Sequence, residues 1–209
     1  MKMSGNTTLY DKSVLARYRV LVNLFLYPFG LRSFVVEKVP LNEGDRVLDA
    51  GCGYGLLSET VRHKAHANRL RNVEQHAFDI STDMLEAFKA RGADGIELRR
   101  LDVRDLPYEN DYFDLILSSA MLEYVPDLDE ALASLRRVLK PSGRIFVFMS
   151  KKSPLNRLLF LPFGNPTCYS YEELANAFGR VGFQNITRHA FPLKTCWLNM
   201  WGVIISAGK

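Results

Sequence analysis

Apolar and polar positions change their period from one stretch of the chain to the next. Between Ser13 and Val39, the apolar residues Val14, Leu15, Tyr18, Leu21, Val22, Phe25 and Leu26 recur at helical spacing. That predicts one or two helices, broken near Pro28-Phe29-Gly30. Asn42 to Asp45 reads as a turn. Val47 and Leu48 form a short buried-type strand that ends at Asp49. A glycine-rich loop follows, then a helix from Leu56 to Ala67. Val73 to Phe78 is a second strand, closed by Asp79. Ser81 or Thr82 caps a helix running to about Arg91. Ile96 to Leu101 is a third strand, ending at Asp102, and Phe113 to Leu117 a fourth, ending at Ser118 and Ser119. Asp127 to Lys140 is amphipathic, with Leu128, Ala131, Leu132, Leu135 and Val138 on one face. Pro141-Ser142-Gly143 stops that helix before a fifth strand, Arg144 to Met149. Ser153 to Ser170 is irregular and unusually apolar. Tyr171 to Val181 is a helix between Ser170 and Gly182. Asn185 to Phe191 and Leu198 to Ser206 read as a closing hairpin.

Strands alternate with helices from Arg46 onward. This predicts an α/β fold with a mostly parallel sheet covered on both faces. The last two strands follow one another without a helix, so one of them runs antiparallel. One domain accounts for residues 1–209, a length that buries a full core. Residues 1–40 form its helical N-terminal piece, either a lid over a ligand or a helix docked on the body. Residues 41–209 form the core, with the apolar insert at 153–170.

Composition narrows the class. Hydrophobic residues make up 47% and charged residues 24%, ordinary for a globular protein. The net charge of +4 is mild and scattered, so basic clusters such as Arg99, Arg100 and Arg104 read first as solvated faces. Cys52, Cys168 and Cys196 have neither paired nor metal-ligand spacing, which points to a reducing compartment and no metal. Met1 to Ser13 lacks a signal-peptide core, and Val20 to Leu31 is too short to span a bilayer. A cytoplasmic location is expected, with contact at a membrane surface left open.

The candidate chemistry sits at the strand ends, where open α/β sheets bind ligands. Asp49, Asp79, Asp102, Ser118 and Ser119 all fall there. The first strand runs into Gly51, Gly53 and Gly55, and the helix start behind them offers unpaired amides. Asp79 stands where a carboxylate accepts the hydroxyls of a ribose, or where it caps a helix. A dinucleotide loop would place its third glycine at position 56, which is Leu56. Asp49 would also oppose a pyrophosphate, and it suits an ammonium or sulfonium group. S-adenosylmethionine carries both, with a ribose and an adenine.

These stretches resemble the class I S-adenosylmethionine-dependent methyltransferases, especially the group that includes the ubiquinone/menaquinone C-methyltransferases. The likeness rests on Val47-Leu-Asp-Ala-Gly-Cys-Gly-Tyr-Gly55, on Phe78-Asp-Ile-Ser81 with Met84-Leu85, on Leu101-Asp-Val103 followed by Asp105-Leu-Pro107 and Phe113-Asp114, and on Leu135 to Gly143. It implies a Rossmann-like doubly wound sheet of seven strands with an antiparallel C-terminal strand. It also implies S-adenosylmethionine as cofactor and S-adenosylhomocysteine as product. By that resemblance Asp49, Gly51, Cys52 and Gly53 hold the methionine part, and Asp79 binds the ribose. Ile80 and Met84 pack on the adenine. Asp102 takes its amino group, and the Val103 backbone reads the ring edge. Ser118 and Ser119 line the site beside the sulfonium, and Tyr18 lies near the cofactor.

The acceptor is less marked. No Pro-Pro-Tyr motif for base amines follows the fourth strand, and no aromatic-basic alternation suggests nucleic acid. Leu21 to Leu31 and Leu155 to Phe163 are rich in Leu and Phe. They either pack on each other or form a pocket for a small apolar or amphiphilic acceptor, such as a quinone precursor or lipid. No base announces itself. Glu123 and Tyr124 lie just past the fourth strand, either facing an acceptor or ending a turn in solvent. His63 and His66 read as surface residues, and His189 as structural. The alternative to an enzyme is a protein that binds the cofactor as a sensor or partner subunit.

Overall fold

The computed structural model describes residues 26–160 and 166–209. Tyr18 and the helical pattern up to Phe25 lie outside the described residues, as do residues 161–165 of the apolar insert. Seven strands build one sheet: β1 Arg46–Ala50, β2 Glu74–Asp79, β3 Ile96–Arg100, β4 Phe113–Ser119, β5 Leu139–Ser150, β6 Gln184–His189 and β7 Gly202–Gly208. Their spatial order is β3-β2-β1-β4-β5-β7-β6. The pairs β3-β2, β2-β1, β1-β4 and β4-β5 are parallel, and β7 runs antiparallel to both β5 and β6. The strand order reverses between β1 and β4, which makes the carboxyl end of β1 the switch point for a ligand.

Strand alternation sorts the core into two main layers. Val47, Leu115, Leu117, Phe146 and Phe148 face helices α1 Tyr27–Lys38 and α2 Leu56–Ala67. Leu48, Ile116, Ile145 and Val147 face helices α4 Leu128–Val138 and α6 Tyr171–Arg180. Between them in sequence, α3 Thr82–Ala90 packs Leu85 and Phe88 against Ala77 of β2. Leu132, Leu135 and Val138 of α4 are fully buried, each worth about 1.5–3 kcal/mol of transfer free energy. The helix caps are side chains: Ser81 Oγ, one of the two expected caps, accepts from Met84 N, Asp127 accepts from Glu130 N, and Ser170 with Glu173 closes a capping box.

Helix α1 starts at Tyr27 with Pro28 in its first turn, where a proline has no intrahelical amide to lose; the helical pattern expected before it lies outside the described residues. Four boundaries differ from the sequence reading. Helix α4 ends at Val138 rather than Lys140, because Pro141 pushes Lys140 into an extended conformation. Strand β5 therefore starts at Leu139, and its register to β4 slips between Phe113 and Leu115. The insert is not wholly irregular, since Pro154–Phe160 forms a short helix, α5. The second arm of the hairpin begins at Gly202, after a 3-10 segment over Leu193–Met200.

Candidate active site

Strand β1 delivers Asp49 to the switch point, where it is 3% exposed. Its Oδ2 accepts from Ser58 N at 3.0 Å and from Ser58 Oγ at 2.6 Å. The strand carboxylate thus caps the first turn of α2, where the helix dipole favours an anion. Its Oδ1 is buried and has no hydrogen-bond partner among the described residues. Burial pushes the Asp49 carboxyl up to about 6, against the two Ser58 bonds, and the neighbouring Asp79 charge adds to the rise.

The glycine loop turns between β1 and α2. Gly51 has φ +72°, and a Cβ there would meet the Met121 side chain at 2.4 Å. Gly55 has φ +90°, and a Cβ there would meet the Phe88 ring at 2.2 Å. Backbone conformation and crowding both exclude side chains at these two positions. Gly53 lies between them and faces open space. Its amide donates to Asp79 Oδ2 at 2.9 Å, and Asp79 Oδ1 accepts from Ser81 N at 2.9 Å. Burial raises the Asp79 carboxyl above its ordinary value, opposed by these amides. Ile80, the next residue, is 42% exposed, an open apolar side chain beside a buried acid.

The end of β4 forms the other wall. Ser119 Oγ and the Tyr27 hydroxyl are 3.0 Å apart. Burial pushes the Tyr27 phenol upward; the Ser119 bond opposes this, and the Glu123 charge adds to it. Glu123 lies in a 3-10 turn, Leu122–Tyr124, and is 3% exposed. Its Oε2 accepts from Ser150 N at 2.9 Å and its Oε1 from Ser150 Oγ at 3.3 Å. Burial pushes its carboxyl up to about 7. The Glu123 charge also helps burial push the Cys168 thiol up to about 11. Among the described residues, no group of His, Cys, Asp and Glu could hold a metal.

A family model described as a methyltransferase domain matches residues 48–147. That span holds the glycine loop and the ends of β1, β2 and β4. The chain contains a class I S-adenosylmethionine-dependent methyltransferase domain. The domain is 35% identical over 131 residues to a ubiquinone biosynthesis O-methyltransferase of Xylella fastidiosa, covering 60% of this chain and 48% of that protein. It is 32% identical over 156 residues to a ubiquinone/menaquinone biosynthesis C-methyltransferase of Vibrio vulnificus, covering 70% of this chain and 58% of that protein. The chain therefore spans about half the length of these relatives. A S-adenosylmethionine-dependent methyltransferase from Aquifex aeolicus shares the fold, with a TM-score of 0.71 at 18% identity over 95% of this chain and 98% of that one.

Several features of the methyltransferase domain fit the family's cofactor. Asp49 Oδ1 is an acceptor in need of a donor, Asp79 is a carboxylate beside an open glycine, and Ile80 is an exposed apolar platform. Cys52 is buried, its thiol pushed up by burial, and its amide donates to Phe78 O at 2.8 Å. Met84 is half-buried on the first turn of α3. Val103 is buried at 4% exposure. Asp102 does not stand free: Arg104 grips it through Nε at 3.0 Å and a second nitrogen at 2.6 Å, holding its carboxyl below the usual range.

Ser118 and Ser119, expected beside the sulfonium, stand on opposite faces of β4. Ser118 is fully buried and donates to Ala50 O at 2.9 Å, so it braces β4 against β1, whereas Ser119 is half-buried and reaches Tyr27. Glu123 is not a solvent group at the end of a turn; it is held under the end of β5. Tyr124 is half-buried beside it. His63 and His66 are exposed, and His189 Nε2 pairs with Ser206 Oγ at 2.7 Å. Tyr27 was missed in the sequence. The signal was Pro28, which marks the first turn of a helix and so puts the preceding tyrosine at its mouth.

Proposed function

We propose that the chain transfers a methyl group from S-adenosylmethionine to a small, apolar or amphiphilic acceptor. When bound, S-adenosylmethionine supplies a methyl group on a positively charged sulfur, which a nucleophile displaces in line. The observation that carries this is the pairing of Asp79 with the Gly53 amide beside exposed Ile80, at the switch point of the sheet. Asp79 would accept the ribose hydroxyls and Ile80 would cover one face of the adenine. Asp49 would take the ammonium end through its unpartnered Oδ1. Asp102 and Val103 would meet the far edge of the adenine, with Met84 alongside. Helix α1 would belong to a lid of residues 1–40, and Tyr27 on Ser119 would mark where that lid meets the acceptor side. The contribution of the protein is then alignment, worth roughly 7–11 kcal/mol in favourable cases.

The relatives and the apolar composition support this acceptor class. Both curated relatives carry names in quinone biosynthesis, one for O- and one for C-methylation. Leu26 just before α1, Phe29 on it, and Leu155 and Leu158 on α5 are exposed, so apolar surface flanks the strand ends. Acceptors of that kind partition into membranes, and contact with a membrane surface is part of the proposal.

One observation favours a second reading. Glu123, the acid nearest the acceptor side, has both carboxylate oxygens engaged by Ser150, which leaves no evident free base there. A cofactor-binding sensor or partner subunit would need none.

Calorimetry with S-adenosylhomocysteine tests the first step. Micromolar affinity is expected, weakened about 10- to 100-fold in Asp79→Ala through loss of charge-assisted hydrogen bonds. Tight NADH binding with no response to S-adenosylhomocysteine would overturn the assignment. A labelled-methyl screen against quinone precursors, phospholipids and small phenols then separates enzyme from sensor.

A further inference from the structure

The exposed large apolar side chains are not scattered. Leu26 and Phe29 open helix α1, and Leu193, Trp197 and Met200 lie on the 3-10 segment before β7. Leu193 is 92% exposed and Met200 66%. The two elements are packed together: a Cβ at Gly30 would meet Leu198 at 2.1 Å, and Tyr27 lies edge-on to Phe191 at 6.3 Å. Helix α5, with exposed Leu155 and Leu158, joins the same corner. Asn156 Nδ2 donates to Trp201 O at 2.8 Å, and Lys151 N donates to the same oxygen at 2.8 Å. The largest exposed apolar groups of three elements thus gather at one end of the sheet, next to Tyr27. Concentrated apolar surface of this kind marks an interaction site.

Charge selects the partner. After Glu130 the sequence contains only two acids, Glu172 and Glu173, against eleven lysines and arginines. Residues 1–130 carry the other 21 acids and 16 cations, and in the fold Lys140, Arg180 and Lys209 pair with three of those acids, Asp114, Asp129 and Asp111. Lys151 and Lys194 belong to the apolar corner itself. A second copy docked through this corner would set Lys151 and Lys194 against like charges of its own. A surface that is anionic at its polar level and apolar beneath it matches both features, and a tryptophan with one apolar and one polar end suits that boundary.

We propose that this corner, formed by the start of α1, α5 and the 3-10 segment Leu193–Met200, docks on an anionic lipid bilayer. Docking sets the Tyr27 side of the cleft against the lipid, where an apolar acceptor resides. This names the surface for the membrane contact and rests, in its purpose alone, on the acceptor reading given above.

The test uses the full chain and sedimented phosphatidylcholine vesicles with and without phosphatidylglycerol. Binding is expected only with phosphatidylglycerol, weakened by salt, with a blue shift of tryptophan emission. Leu193→Ser with Met200→Ser is expected to abolish binding. Lys151→Gln with Lys194→Gln is expected to weaken it roughly 25-fold, at about 1 kcal/mol per cation. S-adenosylhomocysteine affinity is expected to be unchanged in both pairs, which certifies the fold and keeps this test apart from the cofactor assignment. A wild-type chain that binds S-adenosylhomocysteine but ignores anionic vesicles would overturn the proposal. So would serine variants that bind vesicles like wild type, or a patch-dependent dimer seen by light scattering in place of vesicle binding.

Discussion

Replacing Glu123 by Gln removes a buried charge while keeping its shape. The wild-type carboxylate accepts from Ser150 N at 2.9 Å and Ser150 Oγ at 3.3 Å. A glutamine oxygen can keep the first bond, and its amide can donate to the Ser150 hydroxyl, which accepts as readily as it donates. The hydrogen bonds are then nearly conserved, and the charge is the main change. Burial raises the carboxyl from 4.5 to about 7. At one pKa unit per 1.36 kcal/mol, ionised Glu123 costs the folded state about 3 kcal/mol. The sign follows from proton binding. Between pH 4.5 and 7 the folded state binds more protons at this site than the unfolded chain, so stability falls as pH rises through that window. Below it, wild type and Glu123→Gln should be equally stable within the error of one hydrogen bond. Above it, the variant should be more stable by up to about 3 kcal/mol, or roughly 6–12 °C in Tm for a chain of this size. Urea melts of both proteins at pH 5, 6, 7 and 8 measure the gap directly, and other titrating groups cancel in the difference. A gap that stays constant with pH, or a variant less stable than wild type at pH 8, would refute the reasoning.

Gly55→Val should destabilise the fold by more than about 2 kcal/mol, because the side chain meets Phe88 at 2.2 Å from a left-handed backbone; denaturant midpoints measure it. Ser58→Ala should cost about 1–3 kcal/mol at pH 8, since Asp49 loses its 2.6 Å donor. That loss should shrink at pH 5, below the folded value of about 6, where Asp49 is mostly protonated; a pH-independent loss would count against a charged Asp49. Arg104→Ala should let the Asp102 carboxyl rise towards its ordinary value, followed by carboxyl-carbon NMR titration, with a stability change within about 1 kcal/mol because the pair is partly exposed.

The parallel core was legible because its signals are local. Val47-Leu48 and Phe113 to Leu117 read as buried strands by composition alone, and Leu56–Ala67 was bounded correctly at both ends by Gly55 and Asn68. The acids at the strand ends could be placed at one edge because parallel strands all end on the same side. What those acids do was less legible. The sequence put Asp102 at the third strand end, but the grip of Arg104, two residues on, depends on the loop bringing the guanidinium back. Glu123 read equally well as exposed, because its hydrogen-bond partner Ser150 is 27 residues away.

The sequence by itself determined the sheet, its crossover helices and the nature of the ligand. Glycine spacing, strand-end carboxylates and helical periodicity are properties of neighbours within one turn or one strand. Tertiary structure decided which of two adjacent serines bonds to Ala50 and which to Tyr27. It set Tyr27 against Ser119, 92 residues distant. It also gathered the apolar side chains of α1, α5 and the segment before β7 at one corner. Such contacts join residues that carry no mutual signal in the chain. They arise when a whole apolar face is removed from water, and the groups beside it must then find their partners or, as with Asp49 Oδ1, wait for one.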